Sequence, residues 1–144
     1  MYKILRREDL SSNVVLMDVE APMVAKKCLP GQFIVLRLDE NGERVPLTIA
    51  DYDREAGTVT IMVQPVGQTT RMLELMEVGD SLADFVGPMG KPTQIGGQKR
   101  VCVVGGGVGC AIGYPVCKGF YEAGIEVDMV AGFRSKDIVI LEDE

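Results

Sequence analysis

Arg44-Val45-Pro46-Leu47-Thr48 is the stretch of sequence that decides the fold, because a second pattern, Gly105-Gly106-Gly107-Val108-Gly109, follows it about sixty residues later. The first stretch lies among short segments of alternating polarity, which predict antiparallel strands. The second lies between an apolar run and a segment of helical composition. Each pattern is suited to a phosphate group, so together they predict two nucleotides that face each other. A flavin that is reduced by a nicotinamide requires this arrangement.

Length and composition limit the classes of protein that remain. The 144 residues suffice for one ordinary domain, or for a small domain and part of another. The net charge of −6 argues against a nucleic-acid partner, because phosphate backbones require clustered Lys and Arg. No apolar run approaches the roughly 20 residues of a membrane-spanning helix. Because Met1–Arg7 also lacks the apolar core of a signal peptide, we expect a cytoplasmic protein without a membrane partner.

Histidine is absent, which excludes imidazole metal sites and histidine-based acid–base or nucleophilic catalysis. Cys28, Cys102, Cys110 and Cys117 are irregularly spaced and include no C-x-x-C pair. We therefore predict no metal site, and we expect all four thiols to be free and buried. Redox chemistry carried by a bound cofactor remains possible, since the cofactor supplies the reactive atoms.

Residues 1–97 are predicted to form a small antiparallel β-barrel. Thr58–Gln64 alternates, with Val59, Ile61 and Val63 on one face, as do Val15, Met17 and Val19. Phe33–Leu38 is a further strand, and Asn41-Gly42 is a hairpin signal. The segment Thr70–Met76 has helical composition and interrupts the strands.

Residues 98–144 are predicted to be the first, incomplete part of an α/β nucleotide-binding domain. The strand Val101–Val104, a helix over Ile112–Ala123 and the strand Glu126–Phe133 form one βαβ unit. Pro115 is acceptable in that helix only if it lies in the first turn. Such a unit should not be stable alone. We therefore expect a fragment, or a chain that a partner or an exchanged segment completes.

The last residues predict the opening of a further helix. Ser135 is a suitable N-cap, and the acidic tail Glu142–Glu144 would then be a solvated face of that helix.

Two segments of the antiparallel part carry groups suited to a diphosphate. Arg44 offers a fixed fork of donors to phosphate oxygens, Pro46 would fix the backbone against a flat ring, and Thr48 could donate to a ring nitrogen. The alternative is an ordinary hairpin return. Gly67, followed by a pair of threonines at a helix start, makes an anion site from N–H groups and hydroxyls, or simply an N-cap. Both can hold at once.

Four motifs in order carry a resemblance to a known family: Arg-x-Pro-Leu-Thr from residue 44, Val-Gly-x-x-Thr from 66, Gly-Pro-x-Gly from 87 and Gly-Gly-Gly-Val-Gly from 105. This order resembles the ferredoxin–NADP reductase superfamily. Within it the chain is most similar to the FAD-bearing small subunits of NADH-dependent reduced ferredoxin:NADP oxidoreductases, also called sulfide dehydrogenase small subunits. The usual chain in that family is longer.

The resemblance implies roles for individual residues in FAD binding. Arg44 would hold the FAD pyrophosphate, and Thr48 would lie near N5 of the isoalloxazine as the catalytic residue. The remaining positions implied to contact FAD are Pro46, Leu47, Val63, Gln64, Gly67, Thr69 and Thr70.

The glycine cluster is implied to admit the pyrophosphate of NAD(P)H through Gly105, Gly106, Gly107 and Gly109. The cluster is not G-x-G-x-x-G, because the sixth position is Cys110, so it lacks the fingerprint of ordinary dehydrogenases. The superfamily usually has Ala-Pro after the cluster, whereas Ala111 is followed here by Ile112. Arg134, after the second parallel strand, could meet a 2′-phosphate, which favours NADP, or could be a solvated charge.

The implied function is to pass electrons between NAD(P)H and an iron–sulfur or flavin partner. The resemblance places a [2Fe-2S] centre only in a C-terminal part that these residues lack, so this chain alone is not expected to be fully competent. It also implies a larger subunit similar to the glutamate synthase small chain, with ferredoxin as a further possible partner. Two alternatives stay open: the electron-transfer subunit of dihydroorotate dehydrogenase, which Thr48-Ile49-Ala50-Asp51 disfavours, and a non-catalytic barrel that only docks a partner.

Overall fold

The computed structural model describes residues 1–144, which form two antiparallel sheets followed by a parallel pair of strands with one helix. The strands are β1 (Tyr2–Ser11), β2 (Val14–Glu20), β3 (Phe33–Arg37), β4 (Val45–Thr48), β5 (Asp51–Asp53), β6 (Thr58–Val63), β7 (Ser81–Leu82), β8 (Asp84–Met89), β9 (Arg100–Gly106) and β10 (Glu126–Gly132). The α-helices are α1 (Pro22–Ala25), α2 (Gln68–Glu74) and α3 (Cys110–Glu122), and Gly107–Gly109 and Lys136–Ile138 form 3₁₀ turns.

The five-stranded sheet has the order β5-β6-β2-β1-β7 and confirms the predicted alternation. Val59, Ile61 and Val63 of β6 are fully buried and pair with Val19, Met17 and Val15 of β2, which are at most 2% exposed. Successive residues of a strand point to opposite faces, so these alternate residues share one face of the sheet. On that face they form the core together with side chains of the second sheet.

The three-stranded sheet has the order β4-β3-β8, and Asn41-Gly42 lies in the connection between β3 and β4, as predicted. It contributes Ile34, Leu36 and Phe85 to the core. The predicted antiparallel strands are hydrogen-bonded as two separate sheets that pack face to face, and they do not close into one continuous ring of strands. The edge strands β5 and β7 have only three and two residues, and neither pairs with β4 or β8.

Helix α2 confirms the predicted helix but begins at Gln68, two residues before the predicted start. The hydroxyl of Thr70 accepts hydrogen bonds from the backbone N–H groups of Val66 (3.0 Å) and Gly67 (2.9 Å). These bonds satisfy donors that a helix start leaves without partners. The first turn is therefore stabilised ahead of the segment that has helical composition.

The predicted βαβ unit is confirmed. β9 and β10 are parallel and in register from Arg100↔Glu126 to Gly106↔Gly132, and α3 covers one face of the pair. The close packing explains Gly113, where an added Cβ would lie 3.3 Å from side-chain atoms of Val103 and Met129.

The expectation that Pro115 lies in the first helical turn is wrong. The 3₁₀ turn at Gly107–Gly109 continues directly into α3, which therefore begins at Cys110 and places Pro115 in the helix interior. A proline there has no N–H to donate to the carbonyl of Ala111.

The second face of the parallel pair is open. Val104 is 75% exposed, Val130 is 54% exposed, and Cys102 lies on the same face. The expectation that all four free thiols are buried is therefore wrong for Cys102, and Cys117 is only partly buried. Only one helix packs on these strands, whereas parallel strands usually lie between two covered faces.

The C-terminal residues differ from the predicted helix. Ser135 precedes a single 3₁₀ turn of three residues, and Glu142–Glu144 is irregular and exposed. Ile140 instead packs into the protein at 4% exposure. No helix in the structure has the length and apolar character needed to cross a membrane.

A second apolar cluster joins the antiparallel sheets to the α/β part, and we call it the junction cluster. Its buried members are Val14, Leu16, Ala50, Met62, Cys110, Ala111 and Ile140. Strand direction changes from antiparallel in β8 to parallel in β9, close to the predicted boundary between residues 97 and 98. The division into two domains at that boundary stays a prediction.

Candidate functional site

Arg44 lies just before β4, at the end of the three-stranded sheet where β8 begins. Its Nη2 is 3.6 Å from Oδ2 of Asp84, and the same oxygen is 2.7 Å from Nε of Arg37. The Arg37 Nε makes no hydrogen bond, so the contact with Asp84 is an ion pair only. The Arg44 side chain is 65% exposed. Because an exposed ion pair at this distance is weak, the Arg44 guanidinium remains able to bind an anion.

The two threonines of α2 have different partners. Thr70 donates its hydroxyl hydrogen to the carbonyl of Gly67 (3.1 Å) while accepting from the backbone, so the N-terminal capping role is the one observed. Thr69 donates to the carboxylate of Glu43, which precedes Arg44. Thr69 therefore lies on the side of α2 that faces the Arg44 segment, whereas the Thr70 hydroxyl is used within the helix start.

The rest of β4 presents a strand surface of mixed exposure. Pro46 is exposed and pairs with Val35, while Leu47 and Thr48 are half-buried. Thr48 pairs with Phe33, which in turn pairs with Met89 of β8. The end of β4 that carries the predicted catalytic residue thus lies one strand away from the Gly-Pro-x-Gly motif, with Phe33 of β3 between them.

The Gly-Pro-x-Gly motif is mostly strand. Gly87–Met89 belongs to β8, opposite a register shift in β3, and Gly90 alone has a turn conformation, with φ of +81°. An added Cβ at Gly90 would lie 3.0 Å from the ring of Phe33. The glycine therefore allows close packing beside the end of β4.

Val63 and Gln64 differ in what they can offer a ligand. The Val63 side chain is fully buried in the core, so only its backbone is available for contact. The alternation of β6 already predicts this orientation. Gln64 follows the strand and is half-buried, which leaves its side chain accessible.

The glycine cluster leaves open space in front of its backbone. An added Cβ at Gly105 would lie 3.1 Å from Sγ of Cys110, so the turn from β9 to α3 excludes a side chain there. At Gly106, Gly107 and Gly109 an added Cβ would have no neighbour within 4 Å, and Gly107 has φ of +55°. A 13-residue helix begins directly after this loop. These features fit a phosphate approaching backbone N–H groups at the N-terminus of a helix.

Arg134 is exposed and lies two residues beyond Gly132, which pairs with Gly106. It is therefore at the same edge of the parallel pair as the glycine cluster. Asp128 lies inside β10, with Oδ2 2.8 Å from Nη2 of Arg100, and does not reach that edge. The arrangement is compatible with a cation near the ribose of a nucleotide bound at the cluster.

The junction cluster brings the two predicted nucleotide sites together. Ala50 follows Thr48 by two residues and is fully buried, and it belongs to the same cluster as Cys110 and Ala111, the first residues of α3. Burial raises the pKa of the Cys110 thiol, which keeps it protonated at neutral pH. Cys110 is therefore a packing residue rather than a nucleophile.

Sequence reasoning missed one ionic contact beside this cluster. Nζ of Lys118 in α3 is 2.9 Å from both carboxylate oxygens of Asp51 in β5. Partial burial lowers the pKa of Lys118, but the hydrogen bond and the charge of Asp51 outweigh this effect, so the pKa is raised. The two residues are 67 positions apart, and no local pattern in the sequence indicates their pairing.

One prominent cavity contains none of the predicted site residues. It is a groove of about 780 Å³ between α3, β10 and the C-terminal residues, with Tyr114, Cys117, Tyr121 and Met129 among its lining. Its surface is largely apolar and includes none of the glycines of the cluster. We therefore do not assign it to a phosphate-bearing ligand.

Known proteins resemble this chain in both sequence and structure. The profile of the oxidoreductase FAD-binding domain family matches residues 1–93. A protein of Clostridium beijerinckii, described as an uncharacterized protein in the adh 3′ region, is 49% identical over 151 residues, covering 100% of this chain and 51% of that protein. A dihydroorotate dehydrogenase B (NAD(+)) electron transfer subunit homolog of Thermotoga maritima is 43% identical over 144 residues, covering 100% of this chain and 51% of its own length.

Among solved structures, a chain of the NADH-dependent reduced ferredoxin-NADP oxidoreductase, studied for flavin-based electron bifurcation, superposes with a TM-score of 0.95 at 40% identity. The superposition covers 99% of this chain and 52% of the other. The chain therefore spans about half the length of the relatives that it matches. The fold type predicted from the order of the four motifs is confirmed.

Proposed function

The chain belongs to the oxidoreductase FAD-binding domain family, and from this premise we propose that it holds FAD between β4 and α2 and receives electrons from a nicotinamide nucleotide at Gly105–Gly109. One observation carries the proposal. The junction cluster packs Ala50, just after the Thr48 strand end, with Cys110 and Ala111, just after the glycine cluster. A flat ring at the first position and a nucleotide at the second would then be neighbours.

The FAD site is built from an exposed cation, a rigid strand and the start of α2. Arg44 binds the pyrophosphate through charge-assisted hydrogen bonds, since its guanidinium is mostly exposed. Pro46 and Leu47 would line the isoalloxazine, and the Thr48 hydroxyl would offer a hydrogen bond to N5. The remaining FAD contacts in the proposal are the Val63 backbone, Gln64, Gly67 and the two threonines Thr69 and Thr70, with the Thr70 hydroxyl acting indirectly by shaping the helix start.

The nicotinamide nucleotide is held by backbone rather than by side chains. Gly106, Gly107 and Gly109 allow its pyrophosphate to approach the N–H groups at the start of α3, while Gly105 allows the tight turn. Arg134 provides a cation at the same edge, which suits the 2′-phosphate of NADP.

Bound FAD supplies the chemistry that the side chains lack, namely hydride acceptance and the release of single electrons. The residues of this chain bind and orient. The Thr48 hydroxyl would offer one hydrogen bond near the reacting position, and the apolar junction cluster holds the two segments that carry the proposed sites against each other.

The activity of the whole protein is also a proposal, because relatives are about twice as long. We propose a subunit that passes electrons from NAD(P)H through a [2Fe-2S] centre, which a C-terminal part beyond these residues would hold. The acceptor would be a larger flavin or iron–sulfur subunit similar to the glutamate synthase small chain, or ferredoxin. The 144 residues alone would not be fully competent. The Thermotoga maritima relative, 43% identical over the whole chain, favours a second candidate, electron transfer to dihydroorotate dehydrogenase.

The visible spectrum of the purified chain, with released flavin identified by chromatography, tests the proposal. We expect an oxidised-flavin spectrum, about one FAD per chain, and bleaching when NADPH or NADH is added in the absence of oxygen. A colourless protein that also fails to take up added FAD would contradict the proposal and favour a barrel that only docks a partner.

A further inference from the structure

We infer that the ion pair of Asp51 and Lys118 is a tether that fixes the orientation of α3 on the antiparallel sheets. Asp51 opens β5, and Nζ of Lys118 is 2.9 Å from each of its carboxylate oxygens. The side chains are 30% and 38% exposed. This is the only ion pair, and it makes the only side-chain hydrogen bonds, between residues 1–93 and residues 100–144.

The tether lies beside a point of close packing. Gly119 follows Lys118, and an added Cβ there would lie 2.9 Å from Cγ of Pro30 and 2.6 Å from Cδ1 of Ile95. Helix α3 therefore approaches the sheets so closely that no side chain fits at this position. A lysine beside this contact can reach the carboxylate of Asp51 without lifting the helix.

The surface that receives the helix is itself held in place by Arg54. Its guanidinium donates to the carbonyls of Ala25 (2.7 Å), Lys26 (2.6 Å) and Cys28 (2.9 Å). These bonds secure the segment that leads into Pro30. Pro30 and Asp51 thus lie on the same side of the molecule, where they contact Gly119 and Lys118 of α3.

Attachments spaced along one helix restrict its direction, and the ion pair adds a polar attachment to the close packing at Gly119. The first attachment is the junction cluster, where Ala50 packs with Cys110 and Ala111. The second is Asp51, the residue after Ala50, with Lys118, seven residues along α3 from Ala111. Seven residues of helix span about 10 Å. The ion pair is therefore far enough from the junction cluster to limit rotation of the helix start and of the glycine cluster in front of it.

The ion pair of Asp51 and Lys118 affects the orientation of α3 more than the free energy of folding. Partly exposed ion pairs contribute little to the free energy of folding, because water already solvates both charges. Loss of the pair should therefore leave the sheets folded while α3 moves more freely about its apolar contacts at the junction cluster and at Gly119. The consequence for electron transfer rests on the proposed function: Asp51 and Lys118 are then positioning residues that touch neither nucleotide.

Alkylation of Cys110 tests the tether directly and needs no activity. Cys110 is 1% exposed in the junction cluster, so a maleimide reaches it only when the packing of that cluster, which includes Ile140, loosens. Cys28 is fully buried in the main core and reports unfolding of the whole protein. Mass spectrometry of timed samples gives the two rates separately.

In Lys118→Met and in Asp51→Asn we expect the alkylation rate of Cys110 to rise at least fivefold, while that of Cys28 is unchanged. Lys118→Arg should retain the wild-type rate, and the charge exchange Asp51→Lys with Lys118→Asp should restore most of it. Lys99→Met removes an exposed lysine outside α3 and serves as the control. The inference is overturned if Cys110 reacts at the wild-type rate in both charge-removing variants, or if Cys28 accelerates equally.

A second measurement separates the tether from the proposed function. In FAD-loaded protein, Lys118→Met should slow flavin bleaching by the nicotinamide nucleotide at least fivefold, with unchanged FAD content and with recovery in Lys118→Arg. If the wild type takes up no FAD, the proposed function fails while the alkylation rates still decide the tether. If bleaching is equally fast in Lys118→Met and wild type, the positioning role is wrong.

Discussion

The hydroxyl of Thr69 donates a hydrogen bond to the carboxylate of Glu43, the residue immediately before Arg44. The contact ties the start of α2 to the segment leading into β4, the two elements between which we propose that FAD binds. It also fixes a carboxylate on the residue that precedes the arginine proposed to hold a diphosphate. Like charges in this setting repel, so the Glu43 carboxylate should weaken FAD binding even as it organises the site.

Glu43→Gln should therefore tighten FAD binding. The amide oxygen can still accept from Thr69, while the removed charge relieves about 1 kcal/mol of repulsion, which corresponds to a several-fold lower Kd. Quenching of flavin fluorescence during titration of the apoprotein measures the change. Glu55→Gln, which neutralises an exposed glutamate in the turn after β5, is the matched control and should leave the Kd as it is. Weaker binding in Glu43→Gln would show that the carboxylate has a supporting role.

Arg44→Ala should release the flavin. Its guanidinium is 65% exposed and has only a 3.6 Å ion pair with Asp84, so its removal should cost little stability but about 2–3 kcal/mol of FAD binding. The ratio of visible to ultraviolet absorbance after gel filtration measures FAD content. Arg6→Ala removes an arginine of similar exposure on β1 and should keep its FAD. Stoichiometric FAD in Arg44→Ala would refute the assignment of the pyrophosphate site.

Gly107→Val should block reduction of the flavin by the nicotinamide nucleotide while the flavin stays bound. Gly107 has φ of +55° and no neighbour within 4 Å of an added Cβ, so a valine would strain the backbone and project into the proposed pyrophosphate position. Stopped-flow bleaching at 450 nm, the usual flavin wavelength, should slow by about a hundredfold or more in a subunit of the relatives' length.

The control for Gly107→Val must impose similar backbone strain elsewhere. Gly124 follows α3, has φ of +78° and also has no neighbour within 4 Å of an added Cβ. Gly124→Val should therefore cost comparable stability without slowing bleaching. Equal bleaching rates in the two variants would count against a nucleotide at the glycine cluster.

Local patterns predicted those elements whose formation depends on local interactions. The alternation of β6 fixed which side chains face the core, and the apolar run before Gly105 identified β9. The resemblance nevertheless implied a FAD contact for Val63, whose side chain the same alternation places in the core. The start of α2 was predicted too late, because the hydroxyl of Thr70 stabilises residues that have no helical composition themselves.

Contacts between distant segments escaped prediction. Asp51 and Lys118 are separated by 67 positions, and neither residue type nor spacing distinguishes them from other surface charges. Likewise, the same pattern of strands along the sequence is compatible with two separate sheets and with a closed barrel. The hydrogen bonding of the short edge strands β5 and β7 distinguishes the two arrangements. Nor could the sequence show that Ile140 packs at the junction cluster. An irregular segment has no helical or strand periodicity of apolar residues from which burial could be predicted.

The stability of the protein should fall between pH 9 and pH 11, in part because of Cys28. Burial raises the pKa of its thiol from the ordinary value of 9.0 to about 11, although the charge of Arg54 opposes the shift. Below pH 9 the thiol is protonated in both the folded and the unfolded chain. As the pH rises above 9, the thiol of the unfolded chain loses its proton first. The free energy of unfolding therefore falls by up to about 3 kcal/mol by pH 11.

Cys28→Ala removes this titration. At pH 7.5 the variant should be less stable than the wild type by about 1–2 kcal/mol, because it leaves a small cavity in the core. That deficit should shrink as the pH rises and should vanish or reverse near pH 11. Urea unfolding followed by circular dichroism at each pH gives the difference. Val24→Ala, a cavity at a nontitrating residue of the same core, should keep a constant deficit, and a constant deficit in Cys28→Ala as well would refute the raised pKa.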